Sequence, residues 1–69
     1  MFVEVTDIES GRRVAINPHH VNWILEIPQG TKKLTEIDVQ DDLVVCTEKS
    51  FDEVVQMVER AITSRARPA

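Results

Sequence analysis

The segment 21–27, which reads Val-Asn-Trp-Ile-Leu-Glu-Ile, places the strongest constraint on the fold of this chain. Four of its apolar residues recur with a period of two, which is typical of a β-strand: Val21, Trp23, Leu25 and Ile27. Ile24 points to the opposite side, so the strand is apolar on both faces. Such a strand is expected in the middle of a sheet that is covered on both sides.

The length of 69 residues predicts one domain, over residues 1–64, followed by a frayed basic tail over residues 65–69. A domain this short buries only about 60% of the surface that its unfolded chain exposes, so it usually needs a further stabilising link. Cys46 is the single cysteine, which excludes an internal disulfide. We therefore expect the chain to associate with itself.

The remaining segments predict four more strands and one helix. Alternating residues indicate strands over 2–8, 12–17, 33–39 and 43–47, separated by short polar turns. Ser50 opens the helix through a capping box with Glu53. Its apolar stripe has spacings of three and four and comprises Phe51, Val54, Val55, Val58, Ala61 and Ile62. The sequence thus predicts an α+β fold, a five-stranded antiparallel β-meander with one C-terminal α-helix packed on one face.

A single helix of about 14 residues covers only one face of such a sheet. The opposite face would carry Ile24, Leu34 and Val44. Uncovered apolar groups on a small protein usually mark an interface. We interpret these residues as a surface for a second copy or for an unidentified protein partner; the alternative is that sheet twist and long neighbouring side chains cover them.

Four basic residues form a candidate anion or nucleic-acid rim: Arg12, Arg13, Lys32 and Lys33. In a simple meander they come from turns at one end of the sheet, beside Lys49 and the start of the helix. The alternative is a solvated rim. The net charge of −4 disfavours nucleic acid as a partner. A small nucleic-acid- or anion-binding regulator, of phage or mobile-element origin, is nevertheless the alternative function.

The chemistry-bearing residues do not form a pattern typical of an enzyme. His19 and His20 are adjacent, so on an extended chain they point to opposite sides and cannot readily hold one metal. The serines at 10, 50 and 64 fall in a turn, a cap and the tail, without a glycine-rich elbow. We expect a non-enzymatic protein with no metal and no cofactor.

The location of the protein is predicted from its hydrophobic runs. No uninterrupted apolar run approaches the roughly 20 residues that cross a bilayer, and the N-terminus lacks the basic and apolar regions of a signal peptide. We therefore expect a cytoplasmic protein without membrane insertion.

Two parts of the sequence resemble a known family. These are Gly-Arg-Arg-Val-Ala-Ile-Asn-Pro-His-His-Val over 11–21, followed by Ile24, Glu26 and Pro28, and Thr-Glu-Lys-Ser-Phe-Asp-Glu-Val-Val over 47–55. They resemble the FlbD/SwrD type of small flagellar-operon protein, and the resemblance covers residues 2–63. It implies a role in bacterial flagellar assembly or motor output, with no catalytic residues. The chain departs from the family at His19, where an acidic residue is common, and at 40–42, where a glycine-containing turn is usual.

Overall fold

The computed structural model describes residues 1–63, which form five strands and one α-helix. The strands are β1 (Val3–Thr6), β2 (Arg13–Ile16), β3 (Val21–Gln29), β4 (Lys32–Val39) and β5 (Leu43–Thr47), and the helix is α1 (Phe51–Thr63). A short 3-10 helix, Pro18–His20, leads into β3. The predicted α+β class is therefore confirmed. The predicted tail, 65–69, lies outside the described residues.

All strand pairs are antiparallel, as predicted, but they form two sheets. β1 pairs with β2, and β3, β4 and β5 form a second sheet in that order. The strand that holds Trp23 was predicted to be central, and this is wrong: β3 is an edge and β4 is the central strand. Pro28 gives the physical reason, because proline has no N–H to donate and is therefore confined to edge strands, where its nitrogen faces away from the neighbouring strand.

A β-bulge near the start of β3 sets which residues face the core. Val21 lies opposite Val39, whereas Trp23 lies opposite Asp38 and Ile24 opposite Ile37. The extra residue reverses the alternation of side chains. Val21 and Ile24 consequently share the face that packs against the core. The prediction that Ile24 lies on the opposite, helix-free face is thus wrong, because it assumed an uninterrupted period of two.

One continuous core lies between the sheets and α1. Its most buried members include Ile37 on β4 and Val54 on the helix, both with no exposed surface. At the helix start, Ser50 Oγ accepts a hydrogen bond from the Glu53 N–H at 3.1 Å, the capping bond that the sequence predicts. The full set is Val3, Val5, Ile16, Ile37, Val39, Val45, Val54, Val58 and Ala61.

The residues after β1 attach the first hairpin to the second sheet. The Ile8 N–H donates to the Cys46 carbonyl at 2.9 Å. Asp7 Oδ1 accepts from the Cys46 N–H at 3.3 Å, and Asp7 Oδ2 accepts from the Ser10 hydroxyl at 2.8 Å. One turn thus joins the first hairpin to β5. In the second sheet β5 is therefore bonded on both sides, and β3 is the open edge.

Candidate protein-interaction face

The side of the three-stranded sheet that points away from the core is mainly apolar. Residues opposite one another in an antiparallel pair share a face, so the strand register assigns its members. We call this surface the outer face. It comprises Trp23, Leu25, Ile27, Gln29, Lys32, Leu34, Glu36, Asp38, Val44 and Cys46.

Three apolar side chains of the outer face are substantially exposed. Trp23 retains 41% of its surface, Leu25 40% and Val44 46%. Leu34 is only 6% exposed although it is not part of the main core. A cluster of large apolar residues on one side of a small protein is unusual unless something binds there.

The structure separates the three residues that the sequence nominated for this surface. Val44 is exposed on the outer face, Leu34 is on it but buried, and Ile24 faces the core. Sequence reasoning placed Trp23 and Leu25 on the covered side. The proline within β3 was the available sign of an edge strand, but nothing in the local pattern marks the bulge that precedes Ile24.

Two acidic residues lie on the outer face along the central strand. Asp38 is partly buried, and its Oδ2 accepts a hydrogen bond from Asn22 Nδ2 at 2.9 Å. Glu36 lies opposite Cys46 in the register of β4 and β5. Burial raises the pKa of the Cys46 thiol, and the carboxylates of Glu36, Glu9 and Asp7 raise it further. The thiol is thereby kept protonated, which is the less reactive form.

The structure distributes the four residues of the candidate anion rim over different sheets. Arg13 begins β2, and its guanidinium lies 3.7 Å from the carboxylate of Glu4. Lys32 and Lys33 begin β4, across from Gln29 and Pro28. Arg12 immediately precedes β2. No strand pairing joins β2 to β4, so adjacent strands do not bring the two basic pairs together as the single meander assumed.

Lys49, the fifth basic residue considered for an anion site, is already partnered. Its ammonium lies 3.4 Å from the Glu53 carboxylate in the first turn of α1. At the same helix end, the Ser50 hydroxyl oxygen accepts a hydrogen bond from the Glu53 N–H. This end of the helix is therefore engaged by side chains of the chain itself.

The histidine corner is shaped by backbone bonds. Asn17 Oδ1 accepts from the His19 N–H at 3.0 Å, and the His20 carbonyl accepts from the Gln40 N–H at 3.0 Å. Both histidine side chains are exposed. Within residues 1–63, no three His, Cys, Asp or Glu side chains come together in a way that would hold a metal ion.

Comparison with protein-family models, with curated proteins and with solved structures finds no match for this chain. The FlbD/SwrD resemblance therefore stays a prediction made from the quoted sequence motifs. In the part of the chain that the structure describes, no helix has the length and apolar character needed to traverse a membrane.

Proposed function

We propose that this chain is a small, non-enzymatic protein–protein interaction module that associates with itself through the region of the outer face. The observation that carries the proposal is the exposure of Trp23, Leu25 and Val44 on a sheet face that the helix does not cover. Burying such side chains against another protein is favourable by roughly 25 cal/mol for each Å² of apolar surface removed from water.

The separation of the basic residues weakens the alternative function. Binding to a nucleic-acid backbone needs several cations on one surface, and it adds strongly salt-dependent affinity. Here Arg13 faces Glu4, and Lys32 and Lys33 lie on the other sheet. The outer face itself carries two acidic residues, Glu36 and Asp38, against one basic residue, Lys32.

Sedimentation equilibrium of the wild-type chain and of Leu25→Asp tests the proposal. We expect the wild type to form a dimer with rising concentration in the micromolar range. Leu25 is partly exposed, so an aspartate there should leave the fold intact while weakening association at least tenfold, because its charge would be desolvated in the interface. Gln56→Asp, on the exposed side of α1, is the matched control and should dimerise normally.

Circular dichroism of each variant separates loss of association from loss of folding. A wild-type chain that remains monomeric at high micromolar concentration contradicts the proposal. So does a folded Leu25→Asp variant that dimerises as tightly as the wild type.

The resemblance to the FlbD/SwrD type extends the proposal to bacterial flagellar assembly or motor output, with a further protein as partner. The extension rests on the sequence motifs over 11–21 and 47–55. Deleting the gene in its bacterium and restoring either the wild type or Leu25→Asp would test it. We expect reduced swimming or swarming that only the wild type restores; normal motility in the deletion strain would contradict the flagellar role.

A further inference from the structure

Among residues 1–63, one edge of β3 pairs with no other strand. β3 has nine residues and in this range pairs with β4 alone, whereas β5 is attached to the first hairpin by the hydrogen bond from Ile8 to Cys46. We propose that β3 pairs in antiparallel orientation with β3 of a second copy, with Leu25 opposite the partner's Leu25. Two three-stranded sheets then become one six-stranded sheet. This inference rests on the self-association in the proposed function and places that contact at the β3 border of the outer face, which leaves Val44 on β5 outside it.

Pro28 identifies which backbone groups point to the free edge. Proline has no N–H, so inside a strand it occupies a position that does not donate to the neighbouring strand. The register is continuous from Ile24 to Gln29, without a second bulge. In an antiparallel ladder the direction of the backbone groups alternates from residue to residue. Ile24 and Glu26 therefore direct their N–H and C=O groups away from β4, as Pro28 directs its nitrogen.

The possible two-fold registers of this edge differ in their chemistry. Centring the pair on Glu26 sets two carboxylates directly opposite each other, which is destabilising. Centring it on Ile24 draws the bulge between Val21 and Trp23 into the pairing. Centring it on Leu25 sets Ile24 opposite the partner's Glu26 and, by symmetry, Glu26 opposite the partner's Ile24. Both positions carry outward N–H and C=O groups, so this register forms four backbone hydrogen bonds without a charge conflict.

The same register makes the outer face continuous across the dimer. Trp23 comes opposite the partner's Ile27, an aromatic and β-branched pair of the kind that stabilises adjacent strands. The two Leu25 side chains meet at the two-fold axis. A contact along one strand edge is smaller than a standard stable interface, which buries roughly 800 Å² on each partner. We therefore expect affinity in the micromolar range.

The edge strand of the first hairpin, β2, is a poor site for pairing, so the assembly is expected to stop at two chains. β2 has only four residues and begins with a charged arginine, Arg13, so it is a short edge of the kind that resists pairing. An antiparallel β3 pair uses the same edge of both copies, which is an isologous contact and ends growth at two chains. A second copy of this chain, and not an open filament, is thus the occupant that fits.

Proline substitution on the free edge tests the pairing directly. Glu26→Pro removes an outward N–H while leaving the β3–β4 ladder donors in place, so we expect a folded chain whose dimer is at least tenfold weaker. Glu26→Ala removes the carboxylate but keeps the N–H, and it should dimerise like the wild type. If the wild type dimerises and a folded Glu26→Pro variant does so equally well, edge pairing is wrong although self-association stands.

Cysteine cross-linking decides the case if Glu26→Pro does not fold. In a Cys46→Ser background, Leu25→Cys places two thiols on Cα atoms about 4.5 Å apart in the proposed register, within the range of a disulfide. Trp23→Cys is the matched control, because its two copies would lie about 13 Å apart. With oxidised glutathione we expect a covalent dimer of Leu25→Cys only. Equal cross-linking of both variants, or of Trp23→Cys alone, overturns the register, and a monomeric wild type overturns the proposed function as well.

Discussion

Asp7 and Cys46 are joined by a hydrogen bond between the Asp7 Oδ1 atom and the backbone N–H of Cys46, with the two atoms 3.3 Å apart. This bond links the turn after β1 to the strand that borders the second sheet. The Ser10 hydroxyl and N–H donate to the other oxygen of the same carboxylate, at 2.8 and 3.1 Å. One side chain therefore organises the hairpin turn and its attachment to β5.

Acid should weaken the fold through Asp7. The hydrogen bond from Ser10, followed by that from the Cys46 backbone, lowers the pKa of Asp7 below its usual value of 3.8. As pH falls, the carboxylate of Asp7 is therefore protonated in the unfolded chain before it is protonated in the folded chain. The stabilisation is present above the ordinary pKa of Asp7 and is lost as pH falls through its pKa in the folded chain. We expect urea midpoints to fall from pH 5 downwards, and Asp7→Asn to be less stable than wild type at neutral pH.

The difference between Asp7→Asn and the wild type should shrink as the solution becomes more acidic. Glu59→Gln is the control, since it removes a carboxylate from an exposed position of α1. It should retain the acid dependence of the wild type. A constant difference between Asp7→Asn and wild type from pH 6 to pH 2 would show that the carboxylate does not carry this effect.

The thiol of Cys46 should react slowly for a cysteine. Burial is the main cause of its raised pKa, and Glu36 has the largest effect of the three carboxylates that raise it further. Because the thiolate is the nucleophile, alkylation by iodoacetamide at pH 8 should be severalfold slower in the folded chain than in urea. Glu36→Gln should accelerate the reaction of the folded chain, whereas Glu48→Gln should not. Equal rates in the two variants would contradict the role of Glu36.

A buried hydroxyl links the central strand to the segment before the helix. Thr35 is 1% exposed, and its Oγ1 donates to the Lys49 carbonyl at 2.7 Å. Thr35→Val keeps the shape and leaves that carbonyl without this donor, so we expect a loss of about 1–2 kcal/mol in the free energy of unfolding. Thr47→Val is the control, because the equally buried Thr47 hydroxyl accepts only a longer bond of 3.4 Å from the Lys49 N–H.

Urea denaturation of the two threonine variants provides the measurement. The Thr35→Val midpoint should lie clearly below that of Thr47→Val. A smaller loss at Thr35 than at Thr47 would mean that the shorter hydrogen bond does not hold the helix start to the sheet.

The sequence predicted the strands and the helix because each has its own periodicity or cap. It did not predict the sheet arrangement, since this depends on contacts between distant residues. The Asp7 bond to Cys46 spans most of the chain and has no local pattern. The face of Ile24 was assigned wrongly because the bulge before it shifts the alternation by one residue. Pro28 was a local sign that β3 is an edge strand, but the apolar residues on both faces led to the wrong prediction of a central one.

The sequence predicted that one apolar sheet face is left uncovered by the helix, but it did not predict most of the residues on that face. Counting one helix against a sheet with two apolar faces correctly left one face uncovered, and Val44 is exposed on it. The residues of β3 on that face could not be assigned without knowing the register. The basic residues were grouped by assuming a single sheet, and the division into two sheets removes that basis.

The turn between β4 and β5 is conformationally strained. Asp41 and Asp42 both have positive φ, 69° and 60° respectively, a region that glycine adopts without cost and that other residues adopt reluctantly. We expect Asp42→Gly to be more stable than Asp42→Ala by about 1 kcal/mol. At the exposed helical position Gln56 the order should reverse, with Gln56→Ala more stable than Gln56→Gly by about 1 kcal/mol. Thermal unfolding of the four variants compares both pairs, and the same order at both positions would contradict the left-handed backbone at Asp42.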